Sequence, residues 1–353
     1  MCGDDSQSSR RTAMNAETSR AAPTREPGSR RVIAVAILGD VAIAGSKFVA
    51  AALTGSSAML AEGIHSLVDT GNELLLLYGV RRGRRAMDEW HPFGYGKATY
   101  VWSLIVALSV FSVGGGITLY GGIAGLTVRA PALTESWWNY AVLALAGLFE
   151  GWSWRVTRQE LNRHRRVGES LWAAAQRNVD VLVFTVFIGD CAALIGIGIA
   201  AIGIGLSHAF DNPYFDPAAS VVIGVVLVAS AALLARKSVG LLVGESIDTE
   251  HLAAVRKIIA ADPAVEKLGH LQTMRLGPEN VLLIAAVRFQ RRLSLDEVEQ
   301  AIERLEHAIK TPYPSIHHLY LESGALKEVS RSVREAAAPS QNSAMVATPA
   351  PNP

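Results

Sequence analysis

Residues 61–69 read AEGIHSLVD and place a glutamate, a histidine and an aspartate inside an otherwise apolar stretch. On a helix, positions i, i+3 and i+7 fall on one face. Glu62, His65 and Asp69 therefore form a stripe that Asn72 and Glu73 continue. His65 and Asp69, spaced i and i+4, can ligate one divalent ion together. A neutral imidazole and a carboxylate suit zinc and also accept manganese, iron or cobalt. An aspartate at the centre of a membrane helix costs about 2.5–3.5 kcal/mol on insertion scales, so Asp69 calls for a partner or a function. The alternative is a polar stripe satisfied by hydrogen bonds between helices, with no ion.

The rest of the chain makes that stretch a membrane segment. Half of the 353 residues are apolar and only 18% are charged, against about 25% in ordinary globular domains. Six apolar runs approach the ~20 residues that a spanning helix needs: 32–54, 57–80, 98–127, 137–157, 179–206 and 214–235. Only a Gly-Ser turn joins the first two, which implies a hairpin. Lys and Arg set orientation, and the clusters at Arg30–Arg31, Arg81–Arg85, Arg155–Arg177 and Arg236–Lys237 all fall on one side of a six-span arrangement. Arg129 is the exception. Both termini are thus expected in the cytoplasm, in an integral multi-pass protein of a bacterial inner membrane. Residues 1–31 are polar, lack the apolar core of a secretory signal and are expected to be a disordered tail. A net charge of +1 gives no case for a nucleic-acid partner, and Cys2 and Cys191 do not suggest a disulfide framework.

Partners for His65 and Asp69 can be sought by depth, at a rise of about 1.5 Å per residue. Counted from the outer ends, Asp69, Asp40 and Asp190 lie about 18, 21 and 24 Å deep. Asp190 is thus the expected ligand from the fifth span, with Asp40 a second candidate. Asp180 sits at the cytoplasmic end of that span. Cys191 points about 100° away from Asp190 on the helix. Lys47 is expected to snorkel or to pair with a carboxylate such as Asp40, and Glu150 is a further charge within a span. Asp216 is expected to cap a helix, and Gly114–Gly116 to let helices approach or bend.

After Gly240 the character changes. Residues 246–265 have helical periodicity, with Leu252, Val255, Ile258 and Ile259 on one side. Two strands follow, LGHLQTMRLG and NVLLIAAVRFQ, with Gly277-Pro278 between them. A helix then opens on a Ser294/Glu297 capping box, and the strand SIHHLYLES ends the series. The order α-β-β-α-β fits a small α+β domain with helices on one sheet face. The domain plan is a six-helix transmembrane domain over 32–240, a cytoplasmic domain over 241–325 and a disordered tail over 326–353.

TGSSAMLAEGIHSLVDTGNELLLLYGVRR, DEWHPFGYGK and FTVFIGDCAALIG together resemble the cation diffusion facilitator family, and most of all its zinc-transporter-nine-like branch. The similarity extends over residues 31–323. It implies a ferredoxin-like cytoplasmic domain and a homodimer that exports divalent metal in exchange for protons. It places metal at a tetrahedral site between the second and fifth spans, with His65 and Asp69 as ligands. The branch tends to an acidic pair in the fifth span, but here Gly189 stands in place of the first acid and only Asp190 remains. Asp40, Asp180, Glu73, Cys191 or water are the candidates to complete the shell. The family often has a second site in the loop after the second span. The matching residues are Asp88, Glu89 and His91, with Tyr95 where another ligand often sits; the same text also reads as a structural turn set by Pro92, Gly94 and Gly96. In the cytoplasmic domain the family's ligand positions read Ala285, Ala286 and Leu319, and His270, His317 and His318 do not match them. That domain is expected to dimerise without sensing metal.

The function expected is efflux of a divalent transition metal by alternating access, zinc first and manganese, iron or cobalt as alternatives, with no permanently bound cofactor. Glu62, nearer the outer mouth, is expected to relay protons or line the exit. A transport-deficient metal-binding sensor or scaffold is the alternative. An intramembrane hydrolase would want a HExxH-like motif, which the chain lacks.

Overall fold

A computed structural model describes residues 27–127, 137–163, 165–166, 168–177 and 181–323, with side chains for all of these except 27–40 and 138. Asp180, Arg129 and most of both tails lie outside the described residues, as does the side chain of Asp40. The helical part comprises α1 (Pro27–Thr54), α2 (Ser57–Gly83), α3 (Ala98–Thr127), α4 (Trp137–Arg163), the short α5 (Leu171–Arg177), α6 (Val181–Ala209) and α7 (Phe215–Val243). By length and composition, α3, α6 and α7 each suffice to cross a membrane. Helices α2 and α4 are as long but carry more ionisable residues.

The helices outrun the apolar runs. α1 starts at Pro27, α4 continues to Arg163 and α7 to Val243. Apolarity marks the part of a helix that meets hydrocarbon and not where its hydrogen bonding stops. Short α5, which no apolar run announced, occupies part of the polar connection between α4 and α6.

The α1–α2 hairpin turns at Gly55, whose φ of 70° lies in the left-handed region that glycine adopts without strain. Ser56 then caps α2, its hydroxyl accepting from the Met59 amide at 3.1 Å. Asp216 in the first turn of α7 completes this cap. Its carboxylate accepts from the Ser57 amide at 2.6 Å, from the Ser57 hydroxyl at 2.7 Å and from the Ser56 hydroxyl at 2.6 Å. The expected cap is therefore present, but Asp216 caps a helix remote in sequence and ties the start of α2 to the start of α7.

Helix α3 contains a π-helical stretch over Val110–Ile117, where Gly114, Gly115 and Gly116 follow one another. A widened turn of this kind bends and re-aims a helix. It lies against α7, where small residues allow close backbone approach. A Cβ on Gly115 would come within 2.6 Å of Val228 Cγ2, and one on Gly224 within 2.6 Å of Leu119 Cγ. Ala192, Ala200, Ile204, Ile223 and Leu227 form part of the core that α6 and α7 share with α1 and α2.

The C-terminal part comprises α8 (Thr249–Ala261), β1 (Val265–Gly277), β2 (Asn280–Phe289), α9 (Leu295–Lys310) and β3 (Ile316–Ser323). The sheet order is β1-β2-β3, with β1–β2 antiparallel and β2–β3 parallel. A parallel pair needs a crossover, and α9 supplies it. The Ser294/Glu297 capping box opens α9. Val281, Leu283, Ala285 and Val287 alternate inward along β2 and meet Val255 and Ile259 of α8 and Leu305 and Ile309 of α9.

Several contacts connect the C-terminal part to the helices. The α2–α3 loop reaches the β1–β2 turn so closely that a Cβ on Gly96 would lie 2.8 Å from the Gly277 Cα, and the Asn280 amide donates to the Phe93 carbonyl at 3.2 Å. Arg166, between α4 and α5, pairs with Asp248 at 2.7 Å and Glu250 at 2.9 Å at the start of α8.

The tight α3–α7 seam generates a paired test. A Cβ on Gly122 would lie 2.8 Å from the Val221 backbone nitrogen, while one on Gly121 meets nothing within 4 Å. Gly122→Ala should destabilise the detergent-solubilised protein by about 1–3 kcal/mol, as overpacking does, and lower its melting temperature. Gly121→Ala should not lower it.

Candidate metal centre

Helices α1, α2, α3, α4, α6 and α7 line a cavity of about 80 Å³ whose walls are mostly apolar with a few polar side chains, room for an ion with several waters. His65 and Asp69 reach it from α2, and Asp190 reaches it from α6. These three residues, proposed together from spacing and depth, thus face one space. Asn72, Glu73 and Glu150 line it too.

His65 is only 2% exposed. Its Nδ1 stands 3.2 Å from Asp69 Oδ2, one helical turn on. The alignment is not that of a hydrogen bond: neither ring nitrogen has such a partner among the described residues. The same holds for Asn72 Oδ1 and Thr185 Oγ1, also at the cavity. Buried polar atoms are nearly always paired, and these atoms are open to a polar partner that the described residues do not supply. A neutral imidazole nitrogen is what a divalent metal takes.

Asp190 is 7% exposed and is held from α4. Ser153 donates to its carboxylate at 3.1 Å and Thr157 at 3.3 Å. Ser153 and Thr157 lie one turn apart, and each spans the α4–α6 contact. These hydroxyls fix the carboxylate's orientation as outer partners do for metal ligands. The sequence reading missed them, because a serine or threonine in an apolar helix more often bonds its own backbone, as Thr157 also does to the Ser153 carbonyl at 3.1 Å.

Among the described residues, no three His, Cys, Asp or Glu side chains stand close enough to enclose an ion as they are placed. The ligand candidates line the walls of one cavity and do not converge on a point. Cys191 turns away, packing with Trp154, Phe187 and Ile188.

Glu62 is engaged elsewhere. Its Oε2 accepts from Lys47 Nζ at 3.0 Å, and Lys47 also donates to the Ser66 hydroxyl at 2.7 Å. Both charged side chains are fully buried. Lys47 therefore does not snorkel; its partner Glu62 is one helix over, on the α2 stripe, and the side chain of Asp40 lies outside the described residues. Spacing within α1 could not show this, because the pairing crosses the hairpin. Glu62 Oε1 lies against Gly196 of α6, so closely that a Cβ there would collide with it.

In the α2–α3 loop, Asp88 and His91 form a turn. The His91 amide donates to Asp88 Oδ1 at 2.7 Å, and the Tyr95 hydroxyl donates to Asp88 Oδ2 at 2.6 Å. The Tyr95 hydrogen bond holds the Asp88 carboxyl below its ordinary pKa, with His91 assisting. The His91 ring stacks on Tyr95 at 4.0 Å between centroids. Of the two readings open from sequence, these contacts favour the turn.

Residues 33–243 match the cation efflux transmembrane domain family, and the chain belongs to it. The human protein named proton-coupled zinc antiporter SLC30A9, mitochondrial, is 31% identical over 301 residues, covering 83% of this chain and 53% of that protein. Metal tolerance protein C4 of Arabidopsis thaliana is 29% identical, covering 79% of this chain and 61% of its own length. The manganese efflux system protein MneP of Bacillus subtilis is 24% identical, covering 78% and 86%. The chain spans about half the length of the zinc antiporter relatives it matches.

The buried ion pair generates a prediction of its own. Removing one partner of such a pair costs about 3–5 kcal/mol, while replacing both by apolar residues is often neutral. Lys47→Met should lower the melting temperature of the purified protein strongly, and Lys47→Met/Glu62→Met should recover most of the loss. Equal losses in the single and double variants would show that the pair does not carry the effect.

Proposed function

We propose that the protein exports a divalent transition metal, zinc in the first place, through six membrane-spanning helices that alternate their access around His65, Asp69 and Asp190. The observation that carries this reading is the shared cavity: a buried imidazole without hydrogen-bond partners and carboxylates from two helices face the same space. Metal binds the deprotonated ligands from the cytoplasmic side. Protons compete for the same lone pairs on the far side and help release. Relatives named as a zinc antiporter and a manganese efflux protein agree with this choice of cargo.

In this reading both termini are cytoplasmic, as the basic clusters require. Residues 241–325 form a ferredoxin-like cytoplasmic domain that pairs two copies of the chain, and 1–31 and 326–353 are tails. A bacterial inner membrane is the proposed location. The Gly96–Gly277 and Arg166–Asp248 contacts tie this domain to the helical part.

The test is zinc flux in proteoliposomes with an imposed pH gradient. Wild-type protein should move zinc against its gradient when protons run the other way, and Asp69→Ala should fall to the level of empty liposomes. Undiminished flux in Asp69→Ala would overturn the site assignment.

A further inference from the structure

One wall of the cavity, α4, supplies no ligand to the site described above. Glu150 of α4 lines it together with His65, Asp69 and Asp190. Its carboxylate lies in electrostatic range of Asp69 and Asp190, and also of Glu62 and Lys47. A glutamate there, half-buried on a helix that carries Ser153 and Thr157 on its next turns, is difficult to explain as packing. Ser153 and Thr157 are committed to Asp190. Lys47 is committed to Glu62 and Ser66.

Across the cavity, Gly189 of α6 contributes no side chain. It lines the same space, and a Cβ there would meet nothing within 4 Å. The α6 wall therefore holds one carboxylate, Asp190, and an empty position beside it. A tetrahedral site built from His65, Asp69 and Asp190 is one protein ligand short of four. Glu150 lines the same space from α4, and its carboxylate stands on two methylenes, one more than an aspartate's. The buried imidazole, whose two nitrogens have no hydrogen-bond partner among the described residues, faces the same space.

We propose that Glu150 is a metal-binding residue of this cavity, supplying from α4 the carboxylate that position 189 of α6 lacks. The site would then draw on α2, α4 and α6, with an imidazole nitrogen and three carboxylate oxygens. That donor set is harder than one rich in histidine and is compatible with manganese as well as zinc. Binding draws the four side chains inward from the walls they occupy. This assignment rests on the reading of His65, Asp69 and Asp190 as a metal site.

The test is calorimetric titration of zinc chloride into the purified full-length protein in detergent, on four proteins: wild type, Glu150→Gln, Glu150→Gln/Gly189→Asp, and Asp69→Asn. Glu150→Gln should bind zinc at least tenfold more weakly, and adding Gly189→Asp should return the affinity to within threefold of wild type. Rescue by an acid on another helix cannot come from a merely structural role for Glu150, and it also shows that the single variant was folded. Wild-type affinity in Glu150→Gln with binding lost in Asp69→Asn would overturn the role of Glu150 and leave the site standing. A weakened Glu150→Gln that Gly189→Asp fails to restore would overturn the claim that one carboxylate stands in for the other. Wild-type affinity in both Glu150→Gln and Asp69→Asn would overturn the underlying site as well.

Discussion

Hydrocarbon cannot solvate a charge, and α2 brings Glu62, His65, Asp69 and Glu73 into a helical bundle. Much of the surrounding structure meets that constraint. Lys47 from α1 neutralises Glu62, and Gly196 on α6 leaves room for the other carboxylate oxygen. Asp216 from α7 takes up the amides at the start of α2. Ser153 and Thr157 from α4 hold the Asp190 carboxylate on the opposite wall. Within this frame His65 has no hydrogen-bond partner for either nitrogen among the described residues. The stripe thus divides in two: Glu62 is closed off by its ion pair with Lys47, while His65 and Asp69 face the cavity.

The division bears on mechanism. A fully buried Lys–Glu pair contributes little net stability but is costly to break, so Lys47 and Glu62 hold α1 against α2. The glycine seam between α3 and α7, with its π-helical turn, lies on another side of the cavity, where Val106, Val110 and Leu227 form its apolar lining. Helices that touch through glycine can slide with few interlocking side chains in the way. The C-terminal part is tied to the α2–α3 loop through Asn280 of β2 and to the α4–α5 connection through Asp248 at the start of α8, and both connections lead into helices that carry cavity residues.

Much of this was legible in the sequence because it depends on local periodicity. The i, i+4 relation of His65 and Asp69, the depth match with Asp190, the Gly-Ser hairpin and the Ser294/Glu297 cap all follow from spacing along one element. What was not legible depends on contacts between elements. Lys47 could be assigned a carboxylate partner, but not Glu62, because the choice is made where α1 packs on α2. Asp216 could be read as a cap but not as the cap of α2. Glu150 was visible only as a charge in a span, since nothing in α4 shows which way it faces until α6 is laid beside it. Helix ends were misjudged for a simpler reason: helical hydrogen bonding continues past the apolar stretch.

The most direct test of the central claim is to locate the metal. Crystals of the full-length protein grown with zinc, measured above and below the zinc absorption edge, would place the ion by anomalous scattering. The account predicts a peak in the α2–α6 cavity about 2.0–2.2 Å from a His65 ring nitrogen and an Asp69 oxygen, with Asp190 on its other side. Zinc found only at the Asp88–His91 loop or on the histidines of the C-terminal part, with none in the cavity, would contradict it.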